Sequence, residues 1–302
     1  MKAYLDCIPC LIRQALDTAR LSTDDEKIQR MTLIQVMNFL INFFQNNPDE
    51  VPTPPYIAYH IYRIIKEVTK CEDPYHDIKV KYNEIALNMY PELKNIVENS
   101  SAPLLTAIRL AIAGNIIDFG ATGGQFDLKA TLKEVLTQEF AIYHYDLFCE
   151  SLKNAETLLY LGDNAGEIVF DKILIEEILK KYKSKIYYAV KSAPVINDVT
   201  IKDAEQVKMN EVAEVITTGC DAPGTILNLC SEEFLKIYNN ADMIISKGQG
   251  NYETLSEEKK KNIFFLLKAK CEIIARHLKV KVGDIILKKL EVIIKNYDTF
   301  CS

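Results

Sequence analysis

The chain reads as an α/β protein: an N-terminal helical bundle, then a mostly parallel sheet covered by helices. Three observations predict this. Residues 1 to about 100 keep apolar positions three to four apart and contain no strand-like segment. From about residue 157, short apolar runs alternate with polar, helix-like stretches, the rhythm of βαβ units. Those runs are largely apolar, as in a parallel sheet covered on both faces. The expected architecture is a three-layer α/β/α, Rossmann-like domain over 101–302 behind a helical region over 1–100.

The elements follow in order. "CLIRQALDTARL" places Leu11, Ala15, Leu16 and Ala19 on one helical face. "STDDEKIQRMTLIQVMNFLINFF" opens with a Ser22 or Thr23 cap, and its apolar positions from Ile28 to Ile41 repeat at three or four. Pro48, Pro52, Pro54 and Pro55 interrupt, after which "PYIAYHIYRIIKEVTK" and "YNEIALNMYPELKNIVENS" resume the helical pattern. "SAPLLTAIRLAIAG" predicts a further helix leading into the Gly-rich "FGATGGQF". The predicted strands are "TLLYL", "KIYYAV", "AEVITT", "ADMIIS" and "IFFLL".

Bulk properties narrow the function. A net charge of −6, with lysines interleaved among acids, argues against a nucleic-acid binder. No apolar run approaches the roughly 20 residues of a spanning helix, so no membrane partner is expected. The N-terminus "MKAYLDCIPC" does not resemble a secretory signal, which makes the cytoplasm the expected location. Eight cysteines in a chain of this size are expected to be mostly free thiols.

In an open parallel sheet, ligands bind where the loops leave the carboxyl ends of the strands. "LLYLGDNAGEIVFD" puts Asp163, Asn164 and Glu167 at such an end, and "AVKSAPVINDVT" puts Asn197 and Asp198 at the next. "VITTGCDAPGT" contributes Asp221 and an expected helix start at Gly224–Thr225, and "MIISKGQGNYE" contributes Lys247 and Gly248. Upstream, "AGNIIDFG" places Asn115 and Asp118 three apart at a helix end. Asp163, Asn164 and Asp198 together offer two charges and one amide oxygen, a set that suits a hard divalent cation. Lys247 between small neighbours can meet a phosphate as a point charge while loop amides bind its oxygens. This is equipment for phosphoryl transfer. The competing reading is helix capping, because Asp and Asn are favoured N-caps and either loop precedes a predicted helix.

At these residues the sequence resembles the damage-control metal-dependent phosphatases, formerly domain of unknown function 89. The blocks that carry the likeness are "GNIIDFG", "GDNAGEIVFD", "PVINDVT", "GCDAPGT" and "SKGQGNYETL", in that order. "CIPCLIRQAL" resembles the opening of the archaeal and bacterial branch, and "FFLLKAKCEIIARHLKVKVGDIIL" its C-terminal end. The resemblance implies a helical N-terminal region, a three-layer α/β domain and a divalent metal, Mg²⁺, Mn²⁺ or Co²⁺/Ni²⁺. It implies hydrolysis of phosphate monoesters of small metabolites, including sugar phosphates, nucleotides or damaged forms. It places the metal on Asp163, Asn164 and Asp198, puts Asn115 and Asp118 in the same pocket, and gives Lys247 and Gly248 a phosphate. Asp163, Asp118 and Glu167 are the candidate catalytic carboxylates, the latter two for proton handling; water and a carboxylate both remain open as nucleophile.

Two further classes are compatible with parts of the sequence. "YLGDNAGE" loosely resembles a nucleotide-binding loop of an S-adenosylmethionine-dependent methyltransferase, although no G-x-G-x-x-G is present. A non-enzymatic metal or metabolite binder would need fewer of these groups. Cys7 and Cys10 form a C-x-x-C with no second close pair, so structural thiols, a redox pair and half a metal site are all open. Cys71, Cys149, Cys220 and His76 are its possible partners, and the four histidines show no metal-ligand spacing.

Overall fold

The computed structural model describes residues 1–46, 51–114, 134, 136–259 and 261–291. Three helices open it: α1 (Cys7–Ser22), α2 (Glu26–Asn46) and α3 (Pro54–Thr69). Their inward stripes, spaced by three or four, bring Leu11, Ala15, Val36, Leu40, Ile57, Ile61 and Ile65 into one core. The predicted cap of α2 is corrected. Ser22 is the last residue of α1, and the α2 start is capped by Asp25, whose Oδ1 accepts from Lys27 N at 2.8 Å. Pro54 and Pro55 fill the first turn of α3, where no N–H is needed, and Lys70 ends it in the left-handed conformation.

Helices α4 (His76–Glu98) and α5 (Pro103–Ala113) pack elsewhere, on the sheet domain. Asn115 and Asp118 follow α5 and lie outside the described residues. The sheet is built from β1 (Phe140–Tyr143), β2 (Thr157–Leu161), β3 (Lys185–Val190), β4 (Glu214–Thr217), β5 (Met243–Lys247), β6 (Ile263–Lys268) and β7 (Ile285–Lys289). Between them run α6 (Tyr145–Asn154), α7 (Glu167–Lys181), α8 (Ile201–Gln206), α9 (Glu232–Asn240), α10 (Gly248–Leu255) and α11 (Glu272–Leu278). All five predicted strands form. β1 and β7 are additional, and the helix expected at Gly224–Thr225 is a turn into the 3-10 segment Leu227–Leu229.

The strand order is β1-β7-β6-β5-β2-β3-β4, with every pair parallel except β6 and β7. Side chains alternate across it. Leu158 and Tyr160 of β2 join a core with α4, α5 and α7, while Leu159 and Leu161 face Phe234, Tyr252 and Ile274 on the other side. The result is three layers. α7 is buried nearly all round, with Ile168, Val169, Phe170, Ile173 and Leu174 fully enclosed, because α4 and α5 cover the face it turns away from the sheet.

Chain order reverses between β2 and β5. β2, β3 and β4 step one way across the sheet and β5 and β6 the other. The loops leaving β2 and β5 therefore diverge and open a crevice at their carboxyl ends. Those loops begin at Gly162 and Gly248.

Candidate active site at the sheet switch point

Two loops meet at this crevice and are zipped by their backbones. Val199 N donates to Asp163 O at 2.9 Å, Ala165 N donates to Asn197 O at 2.9 Å, and Asn164 and Asp198 form an isolated antiparallel bridge. The pairing sets Asp163, Asn164 and Asp198 side by side. The turn that delivers Asp198 carries Ile196 at φ 46°, a costly conformation for a β-branched residue. Val195 and Ile196 offset that cost by packing into the core of α1–α3.

Capping does not explain these residues. α7 begins at Glu167 with Gly166 as its N-cap and no side-chain cap bond. α8 is capped by its own box, in which Thr200 and Asp203 satisfy each other's backbones. Asn164 instead spends both amide hydrogens on carboxylates, donating to Asp163 Oδ2 at 2.9 Å and Glu167 Oε1 at 2.7 Å. What it offers the cavity is its oxygen.

β5 completes the site from the other side. Gly248 has φ 76°, and a Cβ there would fall 1.9 Å from Asp163 Oδ2. Only glycine lets the β5 loop pass this close to the carboxylate. Lys247 is fully buried, and its Nζ donates to Asp171 Oδ1 at 2.7 Å and Glu167 Oε2 at 3.3 Å. The structure thus brings Lys247 to the site but turns its ammonium inward, away from the cavity wall. Asp171 also accepts from Tyr160 Oη at 2.7 Å and Tyr188 Oη at 2.9 Å.

The electrostatics are those of a site short of positive charge. Burial, then Asp198, pushes the Asp163 carboxyl up to about 6. Burial pushes Asp198 up to about 6 against the pull of Lys191. Burial likewise takes Glu167 to about 7, opposed by Lys247. For Lys247, burial alone would lower the pKa, but Asp171 and Glu167 outweigh it and hold the ammonium above its ordinary value. Asp198 Oδ2 is buried with no hydrogen-bond partner among the described residues; Lys191 Nζ lies 3.6 Å away, an ion pair beyond hydrogen-bond length.

A cavity of about 600 Å³ opens in front of these groups, a size that suits a small metabolite. Asp163, Asn164 and Asp198 form its floor, and α1 and α3 supply the facing wall through Gln14, Asp17, Ala58 and Tyr62. Three lining residues went unnoticed in the sequence. Lys270, just past β6, lowers the pKa of both Asp163 and Glu167. Glu253 lies on α10, with its carboxyl pushed up to about 7 by burial. Cys271 faces the same space as Cys7 and Cys10, so this thiol, rather than Cys71, Cys149, Cys220 or His76, shares the C-x-x-C neighbourhood. Strand-end logic applied to "FFLLKAKC" would have found Lys270; Asp171, inside the apolar run of α7, leaves only the trace of one acid among apolar neighbours.

A divalent ion fits the donors present. Two carboxylates and an amide line one cavity, and one buried carboxylate oxygen has no hydrogen-bond partner among the described residues. Among the described residues no group of three or more His, Cys, Asp or Glu is arranged to hold a metal. No described helix is long and apolar enough to cross a membrane.

Comparison with known proteins shows the family. The family model of the damage-control phosphatase ARMT1-like domain matches residues 3–286. An uncharacterized protein of Methanocaldococcus jannaschii is 39% identical over 296 residues, covering 96% of each chain. A damage-control phosphatase of Pyrococcus horikoshii is 35% identical over 286 residues, covering 95% of this chain and 97% of its own. The crystal structure of a DUF89-family protein from that organism superposes with a TM-score of 0.87 at 34% identity, covering 96% of this chain and 100% of that one. The chain belongs to the damage-control phosphatase ARMT1-like family.

Proposed function

We propose that the protein is a divalent-metal-dependent phosphatase acting on phosphate monoesters of small metabolites, with Asp163, Asn164 and Asp198 as metal ligands. The observation that carries this reading is the buried Asp198 Oδ2, which has no hydrogen-bond partner among the described residues, set beside Asp163 and the amide of Asn164 on the cavity lining. Two carboxylates pushed up to about 6 are unfavourable as neighbours unless a cation joins them.

A divalent ion held there supplies charge neutralisation and polarises the phosphoryl group. The chain's own residues do the rest. Lys270, on the cavity wall, answers phosphate charge that the floor cannot. Hydrolysis adds water across the ester P–O bond, so the leaving oxygen must gain a proton. Glu253 lines the cavity and holds a proton near neutral pH. Glu167, engaged by Asn164 and Lys247, sits one layer behind the cavity. The α1–α3 wall closes the far side and supplies the contacts that select the metabolite.

The test is hydrolysis of a panel of phosphometabolites with Mn²⁺, Mg²⁺, Co²⁺ or Ni²⁺, before and after chelation. Asp163→Asn and Asp198→Ala proteins are expected to fold and to lose metal-dependent turnover by about a hundredfold or more. Wild-type turnover in either variant, or full activity after chelation, would sink the assignment.

A further inference from the structure

We infer that Lys247, with Asp171 behind it, is a positioning residue that fixes which end of the Asn164 amide faces the cavity. This rests on the metal reading above but concerns residues that touch neither cavity nor substrate. An asparagine ligand is useful to a hard cation only through its oxygen, and the two ends of the amide have nearly the same shape. Something must hold the nitrogen end. Here Asn164 Nδ2 is held by Asp163 Oδ2 at 2.9 Å and Glu167 Oε1 at 2.7 Å.

Glu167 can do this only if its carboxyl group is held still. Its other oxygen receives Lys247 Nζ at 3.3 Å, and the residue is 2% exposed. Lys247 is in turn anchored on Asp171 Oδ1 at 2.7 Å. Asp171 is fully buried, and hydroxyls from β2 and β3, Tyr160 and Tyr188, hold it at 2.7 and 2.9 Å. The line from two tyrosines through Asp171, Lys247 and Glu167 to Asn164 crosses β2, β3, β5 and α7. Each acceptor has its donor along that line. A buried lysine placed between two buried carboxylates costs desolvation that a mere packing residue would avoid. Orientation of the amide is the return on that cost.

A lysine in this place is open to a second explanation, direct contact with phosphate, and the two separate experimentally. The variants are Lys247→Met, which keeps most of the side-chain length without the charge, and the gentler Tyr188→Phe, which removes one support of Asp171. Mn²⁺ affinity is measured by calorimetry on the metal-free protein, alongside KM and kcat at saturating Mn²⁺ and inhibition by inorganic phosphate. Positioning predicts a Mn²⁺ Kd raised about ten- to a hundredfold in Lys247→Met and about threefold in Tyr188→Phe. KM and phosphate inhibition at saturating Mn²⁺ then stay near wild type. Unchanged Mn²⁺ affinity in folded Lys247→Met, or in Tyr188→Phe should Lys247→Met not fold, overturns the inference, as does a phosphate inhibition constant that alone shifts. If the wild type binds no Mn²⁺, the metal reading itself falls and this inference with it.

Discussion

At the scale of single residues, the site is defined by what close approach forbids and what burial costs. Gly248 is the sharpest case. An alanine there would need φ near 76° and a Cβ inside the Asp163 carboxylate. Gly248→Ala is expected to cost at least about 1 kcal/mol in backbone strain alone and to displace Asp163. Denaturant unfolding and Mn²⁺ calorimetry check the two effects separately. A second expectation concerns pH. Asp163 and Asp198 are raised from 3.8 to about 6 in the folded protein. A carboxyl raised on folding adds stability that is fully present below its unfolded pKa and lost as pH rises through the folded one. The metal-free protein should therefore lose stability at this site as pH climbs from about 4 to about 7. Metal affinity runs the other way, since ligands must shed protons: it should rise over the same window and level off by about pH 8. Calorimetry in buffers of different ionisation enthalpy would show proton release on Mn²⁺ binding, largest near about pH 5. Release that does not depend on pH would contradict the assignment.

At the scale of elements, α4 is tied to the loop that carries Asp163 and Asn164. Asn83, fully buried on α4, accepts from Gly166 N at 2.7 Å and donates to Asp203 Oδ1 at 3.0 Å and Gln206 Oε1 at 2.8 Å. Asn83→Ala removes the partner of three groups on two segments, the buried Gly166 N and, on α8, the buried Asp203 and half-buried Gln206. The expected loss is about 3 kcal/mol, seen as a lower denaturant midpoint at unchanged slope. Elements also show where a reading of sequence succeeds. β2, β3 and β5 are legible because both faces are buried and each becomes an apolar run with a polar end. β1 is hard to read because it is four residues long, alternates between half-buried and exposed, and runs almost directly into α6. β7 escaped because "IILKK" ends in lysines and pairs antiparallel, outside the βαβ rhythm. At the site, strand-end position marked Asp163, Asn164, Asp198 and Lys247. It carried no information on which way a side chain turns, so the inward Lys247 and its partner Asp171 required the fold.

At the scale of the whole molecule, three cores are joined through shared strands and loops rather than standing apart. The two sheet cores lie back to back on the same strands, and the core of α1–α3 includes Val195 from the loop after β3. Thermal unfolding of the metal-free protein is expected as a single calorimetric transition. Two resolved transitions would mean that the helical bundle melts on its own.

Val195 has a wider consequence. It is 2% exposed among residues of the bundle, yet stands three positions before Asp198 on one short turn. Wall and floor of the cavity are thus cut from one mechanical piece. If the floor holds a cation as proposed, re-carving the wall to admit a new substrate would retune that grip in the same stroke, and diversification of specificity would drag ion preference along with it.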